Sequence, residues 1–199
     1  MEGHSLDLAT QVDYPPGAPM KIRRCLVVHF TAGASARSSI DWWRDPGAKG
    51  AEAHIVIARN GEVIQIRKTN QRADHAGRSR WVDPNTGKIY NWINSCSIGI
   101  ELANGGDSPS IIKRFSNLPP VRARHRNGGA LKDWEAYPEA QFEALCKVAD
   151  ALVKRYNLDD ITGHDCVSPG RKPDPGPAFK MQELRKYCGF SGLPKVAKK

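Results

Sequence analysis

The sequence lacks the features by which several classes of protein are recognised. No apolar run approaches the ~20 residues that a membrane-spanning helix needs, so no stable membrane insertion is expected. The polar N-terminus, residues 1–19, contains no apolar segment of the kind found in secretory signals. We therefore expect a cytoplasmic protein that reaches another compartment only if something else releases it.

Cysteine is scarce, and its spacing does not indicate metal or disulfide chemistry. The five cysteines are odd in number, widely spaced and form no C-x-x-C pair. A disulfide framework and a structural zinc knuckle both need closely patterned cysteines. Reduced thiols are therefore expected at Cys25, Cys96, Cys146, Cys166 and Cys188.

Acidic residues are outnumbered by basic ones. The chain has 30 lysines and arginines against 21 aspartates and glutamates, a net charge of +9. Such a surface attracts polyanions, whether nucleic acid, anionic lipid or an anionic cell-wall polymer. A nucleic-acid-binding protein would also show a basic helix or an aromatic sheet face. Neither is found, so no nucleic-acid partner is expected.

The length of 199 residues suits one domain with a substantial core. We expect a monomeric single domain over residues 1–199, with its core at about 22–187. Residues 104–137 are rich in glycine, proline and arginine and are expected to form a surface insertion. Residues 190–199 are expected to be a basic tail, and residues 1–20 and 72–95 to be mostly irregular.

Apolar periodicity predicts alternating strands and helices. Two alternating runs flank Asn60-Gly61, which predicts a β-hairpin closed by a type I′ turn. The spacing of apolar residues over 139–156 predicts an amphipathic helix. The other predicted elements are strands over 23–30 and 96–103, a short helix within 31–47 that stops at "DPG", a short strand ending at His164 and a helix over 178–188. Together they indicate an α/β fold, a central mixed β-sheet flanked by helices.

Three of the predicted strands end on reactive side chains: His29, Glu101 and His164. Two histidines from distant parts of a chain, with one carboxylate or thiolate, form a common catalytic zinc set. The third ligand is open at this point. The segment after the last strand, "GHDCVSPGRKPDPGP" (163–177), contains Asp165, Cys166 and Asp174, and its prolines and glycines argue against a regular helix or central strand.

Five motifs occur in an order that resembles the type 2 N-acetylmuramoyl-L-alanine amidases. They are "VVHFTAG", "AHIVIARNGEVIQI", "HAG", "SIGIEL" and "GHDCVSPGRKPDPGPAF", and the resemblance covers roughly residues 22–187 apart from 104–137. The family includes bacteriophage endolysins and cytosolic amidases that recycle anhydro-muropeptides, and it is related to peptidoglycan recognition proteins. The resemblance implies a mixed sheet with packed helices and a peptidoglycan or muropeptide substrate.

The resemblance also implies roles for individual residues. It implies a Zn²⁺ ion held by His29, His164 and the aspartate before "PGP", Asp174. Chemical reasoning favours the same aspartate over its neighbours, because "SPGRKPDPG" reverses the chain, whereas Asp165 in an extended segment would point away from His164. Glu101 is then the proton-transfer group and Lys172 the stabiliser of the oxyanion. His75 and Arg171 are expected to contact the substrate, His75 from a rim of the groove.

Several other residues receive no catalytic role. His54 is expected to be structural, and His4 and His125 to lie on the surface. Trp42 and Trp43 are expected to pack in the core and at its rim. The sequence departs from many relatives at Asp74, where they have Trp, and at Ala53, where some have Tyr. These departures change one wall of the groove and remove an auxiliary side chain near the metal.

Three functions fit this pattern. The first is a zinc amidase that acts as an endolysin, favoured by the charge of +9 and the basic insertion. The second is a cytosolic recycling amidase acting on soluble anhydro-muropeptides, towards which the "PGRKPDPGPAF" loop and the reduced cysteines point. The third is a non-catalytic peptidoglycan-binding protein, which would be expected to lack a zinc ligand.

Overall fold

Strands and helices alternate along the chain, as the sequence predicts. A computed structural model describes residues 3–45, 47 and 52–197. The helices are α1 (Ala36–Arg44), α2 (Pro109–Phe115), α3 (Glu139–Tyr156), α4 (His164–Val167) and α5 (Met181–Tyr187). The strands are β1 (Thr10–Gln11), β2 (Cys25–Phe30), β3 (Ile55–Ile57), β4 (Val63–Gln65), β5 (Arg80–Val82), β6 (Ile89–Asn91), β7 (Ser97–Leu102), β8 (Val121–Arg124), β9 (Leu131–Trp134) and β10 (Asp160–Gly163).

Six strands form the central sheet in the order β1-β4-β3-β7-β2-β10. The β3–β4 pair is antiparallel and the other pairs are parallel, which confirms the predicted mixed sheet. Strands β7, β2 and β10 are therefore parallel neighbours whose carboxyl ends meet at one edge. In this register His29 lies directly opposite Glu101, and Gly163, the residue before His164, lies opposite Val28.

The two faces of this sheet have different partners. Leu26 and Val28 in β2 belong to an apolar cluster with helix α3, whereas Cys25 and Val27 belong to a cluster on the other face. Since side chains alternate along a strand, His29 falls on the face away from α3. The same alternation places Ser97, Gly99 and Glu101 of β7 on that face.

Helix α3 covers the sheet and spans the residues predicted for it. Its buried stripe includes Phe142, Leu145, Val148, Ala149 and Leu152, and burying each large apolar side chain contributes roughly 1.5–3 kcal/mol. The helix ends at Asn157, whose φ of 48° is left-handed, a conformation that asparagine tolerates better than most residues.

The predicted β-hairpin is present as β3 and β4, but the predicted turn type is wrong. The amide of Ala58 donates to the carbonyl of Glu62 (2.9 Å), which leaves a three-residue loop over 59–61. A type I′ turn needs positive φ at both central residues. Gly61 has φ of +87°, whereas Asn60 does not have positive φ. Asn60 instead accepts a bond from the Glu62 amide through its side chain (3.1 Å).

The segments expected to be irregular contain regular structure. Residues 72–95 include the hairpin β5–β6 and a 3₁₀ turn, Ile93–Ser95, and β1 of the lead-in pairs with β4. The predicted insertion, 104–137, contains α2 and the hairpin β8–β9. Its far end is not on the surface, because Trp134 and Glu135 are buried and Glu135 binds the amide of Gly105 (2.5 Å). That residues 104–137 are an insertion into a single domain remains a prediction.

Several other expectations are also resolved by the fold. None of the helices in the described part of the chain is long and apolar enough to cross a membrane. All five cysteines are buried free thiols. Helix α1 begins at a capping box of Ser35 and Ser38. It ends before the predicted "DPG" stop, of which Pro46 lies outside the described residues, as do the last two lysines of the basic tail.

Candidate metal centre

A group of three side chains gathers at the carboxyl edge of β2 and β10. Nδ1 of His29 lies 2.9 Å from Nδ1 of His164, and Oδ2 of Asp174 lies 2.9 Å and 2.8 Å from these two nitrogens. All three side chains are buried. One ion with zinc–ligand distances of ~2.0–2.1 Å can reach all three atoms.

The loop between His164 and Asp174 explains why the aspartate returns to the histidines. His164–Val167 forms one helical turn, so the expectation that no helix forms there is wrong. The amide of Asp165 then donates to the carbonyl of Asp174 (2.7 Å), which closes the loop. The predicted chain reversal is thus present, and it consists of a helical turn and a loop that a backbone hydrogen bond closes.

The two rival ligands face away from this group. The Asp165 carboxylate lies 3.5 Å from Nε2 of His125, and Sγ of Cys166 accepts from Arg126 (2.9 Å). Burial raises the pKa of the Cys166 thiol to about 12, so the thiol is protonated at neutral pH and is a poor metal ligand. The structure therefore brings Asp174, not Asp165 or Cys166, to the two histidines.

The ionisation of the three groups suits a cation. Burial, together with the charge of His164, lowers the pKa of His29 to about 4. Burial alone would raise the pKa of Asp174, but the charge and hydrogen bonding of His164 and His29 outweigh it and hold that pKa well below its usual range. At neutral pH, His29 is neutral and Asp174 is anionic, which is the state that metal binding requires.

The far side of His164 supports the same conclusion. Its Nε2 lies 3.1 Å from the carbonyl oxygen of Ala76, and a carbonyl can only accept. Nη2 of Arg171 also lies 3.2 Å from Nε2, so Nε2 is occupied by the loops behind the ring and Nδ1 faces His29 and Asp174. Two imidazole nitrogens and one carboxylate oxygen form a donor set that zinc accepts, so these residues fit a Zn²⁺ ion.

Glu101 stands beside this group with part of its carboxylate unpaired. Its Oε2 is shielded from solvent and has no hydrogen-bond partner among the described residues. Burial, and next the charge of Asp174, raises the pKa of Glu101 well above its usual range, while Lys172 opposes the shift. The charge of Lys172 also lowers the pKa of His29; the role of Lys172 towards the oxyanion remains a prediction.

The two predicted substrate contacts occupy different positions. His75 is only 7% exposed and its Nδ1 lies 3.0 Å from Nε2 of His29, so the expected place on a rim is wrong. It is buried because its ring packs against Gly99 and Ser97 of β7 and against His29 of β2. Arg171 is exposed, but its Nη2 donates to the carbonyls of Ala76 (2.7 Å) and Arg78 (3.0 Å). Its contact with substrate remains a prediction.

The remaining histidines and tryptophans are only partly where the sequence predicts. His54 is buried outside the metal-ligand group, as expected. His125 is half-buried rather than fully on the surface: its side chain is 11% exposed and Nε2 donates to the carbonyl of Pro173 (3.0 Å). His4 is half-buried against Tyr156. Trp42 is 59% exposed, contrary to the expected packing, whereas Trp43 packs against the α1 core.

His54 makes a testable contribution to stability. Burial lowers its pKa from 6.5 to about 4, so as pH falls below 6.5 protons bind the unfolded chain first. The contribution of His54 to the free energy of unfolding is therefore complete above pH ~6.5 and decreases as pH falls towards 4. About 2 kcal/mol of it is lost by pH ~5. We expect urea unfolding at pH 7 and 5 to show a smaller decrease in the free energy of unfolding for His54→Gln than for the native protein. Equal losses in both proteins would contradict a neutral buried His54.

Sequence reasoning missed the residue that contacts His164 from behind. Ala76 acts through its backbone carbonyl oxygen, which every residue has, so its residue type gives no signal. Only the position of "HAG" after the hairpin points to it. Its amide donates to Oδ1 of Asn94 (2.8 Å), another residue to which the sequence assigned no role. Backbone contacts of this kind are found only when distant segments are placed together.

The structure thus combines a mixed sheet with a histidine, histidine and aspartate group at its carboxyl edge that could hold one metal ion. The family model of the N-acetylmuramoyl-L-alanine amidases matches residues 18–177. The chain therefore belongs to this family, as the sequence motifs predict.

Comparison with individual proteins gives consistent results. The chain is 31% identical to the 1,6-anhydro-N-acetylmuramyl-L-alanine amidase AmpD of Salmonella typhimurium over 70% of this chain and 58% of that protein. It thus spans under three fifths of the length of that relative. A structure of an AmpD derivative matches with a TM-score of 0.62 at 29% identity, covering 92% of this chain and 96% of that one.

A third comparison concerns a complex. The structure of the amidase AmiD from Escherichia coli with anhydro-N-acetylmuramic acid-L-Ala-D-γ-Glu-L-Lys matches with a TM-score of 0.63 and 27% identity. The match covers 98% of this chain and 67% of that one. These likenesses confirm the predicted fold class.

Proposed function

We propose that the protein is a zinc-dependent amidase that cleaves the amide bond between the lactyl group of N-acetylmuramic acid and L-alanine. One observation carries the proposal: three ligand atoms converge within 2.8–2.9 Å beside a buried, unpartnered carboxylate oxygen of Glu101. A binding protein on the same fold would have no need of that carboxylate. His29, His164 and Asp174 would hold the ion.

The roles of the chain's own residues follow from their positions. When bound, zinc supplies Lewis acidity, which lowers the pKa of water and polarises an amide carbonyl. Glu101 takes a proton from the attacking water and passes it to the leaving amine. Its pKa is raised, first by burial and next by Asp174, which strengthens the carboxylate as a proton acceptor.

Lys172 is proposed to stabilise the negative charge that develops on the carbonyl oxygen. Its positive charge opposes the rise in the pKa of Glu101 and lowers the pKa of His29. A cation held in a partly desolvated site stabilises a developing oxyanion more strongly than it would in water. The loop that carries Lys172 also carries Asp174, so metal ligation and oxyanion stabilisation depend on the same segment.

A cleft beside Lys172 is the proposed place for the substrate. It has a volume of about 280 Å³ and is lined by the hairpin tip over 127–130 and the loop over 170–173. A larger cavity of about 480 Å³ is also lined by His125. Neither cavity is lined by a metal-ligand residue or by Glu101, but Lys172 lines the smaller cleft and not the larger cavity, so we assign the substrate to the smaller cleft.

We further propose a soluble anhydro-muropeptide as the substrate, rather than intact peptidoglycan. The relatives with the higher sequence identities carry the name of 1,6-anhydro-N-acetylmuramyl-L-alanine amidases, and the AmiD structure contains an anhydro-N-acetylmuramic acid peptide. This preference reverses the order favoured by charge, because a net charge of +9 does not distinguish a soluble anionic fragment from an anionic wall. The cytoplasmic location and monomeric state remain predictions.

Digestion of two substrates in parallel tests this proposal. Purified sacculi and a soluble anhydro-muropeptide are incubated with native and chelator-treated protein, and released stem peptide is quantified. We expect release from the soluble fragment at least about tenfold faster than from sacculi, no release after chelation, and recovery on adding Zn²⁺. Faster release from sacculi would support the endolysin alternative. The absence of metal-dependent release from either substrate would leave a peptidoglycan-binding protein.

A further inference from the structure

We infer that His75 is a positioning residue, which fixes His29 in the one tautomer that can bind a metal and does not contact the substrate. The inference rests on the metal site of the proposed function, but not on the reaction. It follows from a chain of hydrogen bonds that begins at a backbone carbonyl and ends at the metal-ligand group. Each atom along it has only one possible role.

The chain begins at the carbonyl oxygen of Ile93, in the 3₁₀ turn before β7. A carbonyl can only accept, and Oγ of Ser97 lies 2.6 Å from it, so the serine hydroxyl donates to Ile93. Having used its one proton, Ser97 can only accept from Nε2 of His75, 3.0 Å away. The proton of the His75 ring is therefore on Nε2.

A neutral imidazole with a proton on Nε2 has a bare Nδ1. Nδ1 of His75 lies 3.0 Å from Nε2 of His29, so it accepts from that nitrogen, and His29 also carries its proton on Nε2. Nδ1 of His29 is then bare and faces His164 and Asp174. Metal-binding histidines usually donate their second ring N–H to a carboxylate or a carbonyl. Here the acceptor is a second imidazole, His75, whose tautomer is fixed by its hydrogen bond to Ser97.

The same short segment serves the second histidine ligand. The carbonyl of Ala76, the next residue, accepts from Nε2 of His164 at 3.1 Å. The segment is held in place because the Ala76 amide donates to Oδ1 of Asn94 (2.8 Å), beside Ile93. Two consecutive residues, one through its ring and one through its backbone, thus orient both histidines.

The strand beneath His75 leaves room for its ring. A Cβ atom on Gly99 would lie 2.4 Å from Cγ and 2.7 Å from Nδ1 of His75, so no larger residue fits without moving the ring. Ser97 and Gly99 are small residues at alternating positions on one face of β7, between the bulky Ile98 and Ile100 of the other face. With 7% of its surface exposed, His75 has little area with which to contact a substrate.

Zinc affinity and the tautomer of His29 test the inference without an activity assay. Zinc dissociation constants are measured by competition with a chromophoric chelator. The His29 tautomer is read from ¹⁵N-histidine spectra of metal-free protein. We expect Nε2–H His29 in the native protein. In His75→Phe we expect a mixture of tautomers and a dissociation constant raised about 10–100-fold.

Two further variants and a matched control separate positioning from packing. His75→Asn keeps an acceptor near Nδ1, and Ser97→Ala removes only the far end of the chain; each should raise the dissociation constant less than about tenfold. The control His54→Gln removes another buried histidine, whose ring centroid lies 5.8 Å from that of His75, and should leave zinc affinity within about twofold.

Three results would overturn the inference: an Nδ1–H tautomer in native His29, an unchanged affinity in His75→Phe, or an equal loss in His54→Gln. If His75→Phe does not fold, the native spectrum and Ser97→Ala decide the question. Protein that binds zinc through this arrangement but releases no stem peptide would refute the proposed function and leave the role of His75 intact.

Discussion

Replacing Asp174 with asparagine is expected to abolish zinc binding at micromolar metal and to lower amide hydrolysis by a factor of about 10³ or more. The amide has nearly the shape of the carboxylate, so the loop closed by the Asp174 carbonyl and the Asp165 amide should persist. What is lost is the negative charge between two imidazoles, 2.9 Å and 2.8 Å from their nitrogens. Metal content by atomic emission and stem-peptide release measure the two effects.

The natural control for this variant is Cys166→Ala in the same loop. Its Sγ accepts from Arg126 and does not face the histidines, so zinc content and activity should stay close to those of the native protein. Loss of zinc in Cys166→Ala with retention in Asp174→Asn would reverse the assignment of the third ligand. It would restore the thiolate alternative that the sequence leaves open.

Replacing Glu101 with glutamine is expected to lower the turnover number about 10²–10⁴-fold while zinc remains bound. Glutamine preserves the size of the side chain but cannot take a proton from water. Because Glu101 lies opposite His29 in the β2–β7 register and is not one of the three convergent ligands, metal affinity should change little. Steady-state kinetics on zinc-loaded protein, with metal content measured in parallel, tests this.

A matched control for Glu101 is Glu143→Gln on the exposed side of α3, which should be without effect. Glu101→Asp keeps a carboxylate but withdraws it by one methylene, and it should recover part of the lost activity. If Glu101→Gln retained full turnover, the proton transfer would have to be assigned elsewhere. If it lost zinc together with activity, Glu101 would be a ligand and not a proton-transfer group.

The elements that could be predicted are those whose signal is local. The apolar stripe of α3 repeats over five turns, and its bounds, Glu139–Tyr156, were predicted to the residue. The strands that end on His29, Glu101 and His164 are runs of apolar and β-branched residues, which suit the centre of a sheet. In each case the pattern is long enough, or apolar enough, for burial to decide the conformation.

The failures arise where a short segment takes its conformation from its neighbours. Asn60-Gly61 is compatible with two hairpin loops, and the pairing of Ala58 with Glu62 selects the three-residue one. "GHDCV" forms a helical turn because the Asp174 carbonyl holds the Asp165 amide across the loop. The 72–95 segment has few apolar residues of its own, and its hairpin forms where Trp81 is buried against the sheet.

The sequence by itself determined the chemistry available to this protein. It contains two histidines and a glutamate at strand ends and an aspartate in a proline- and glycine-rich loop, in motifs sufficient to identify the family. Which atoms meet was decided by the tertiary structure alone. The parallel register of β7, β2 and β10 brings the strand ends together, and the packing of His75 over Gly99 turns a residue expected at the rim into one behind the metal ligand. The physical reason is that residue type limits what a side chain can bind or donate, whereas its partner, burial and tautomer depend on segments far away in the chain.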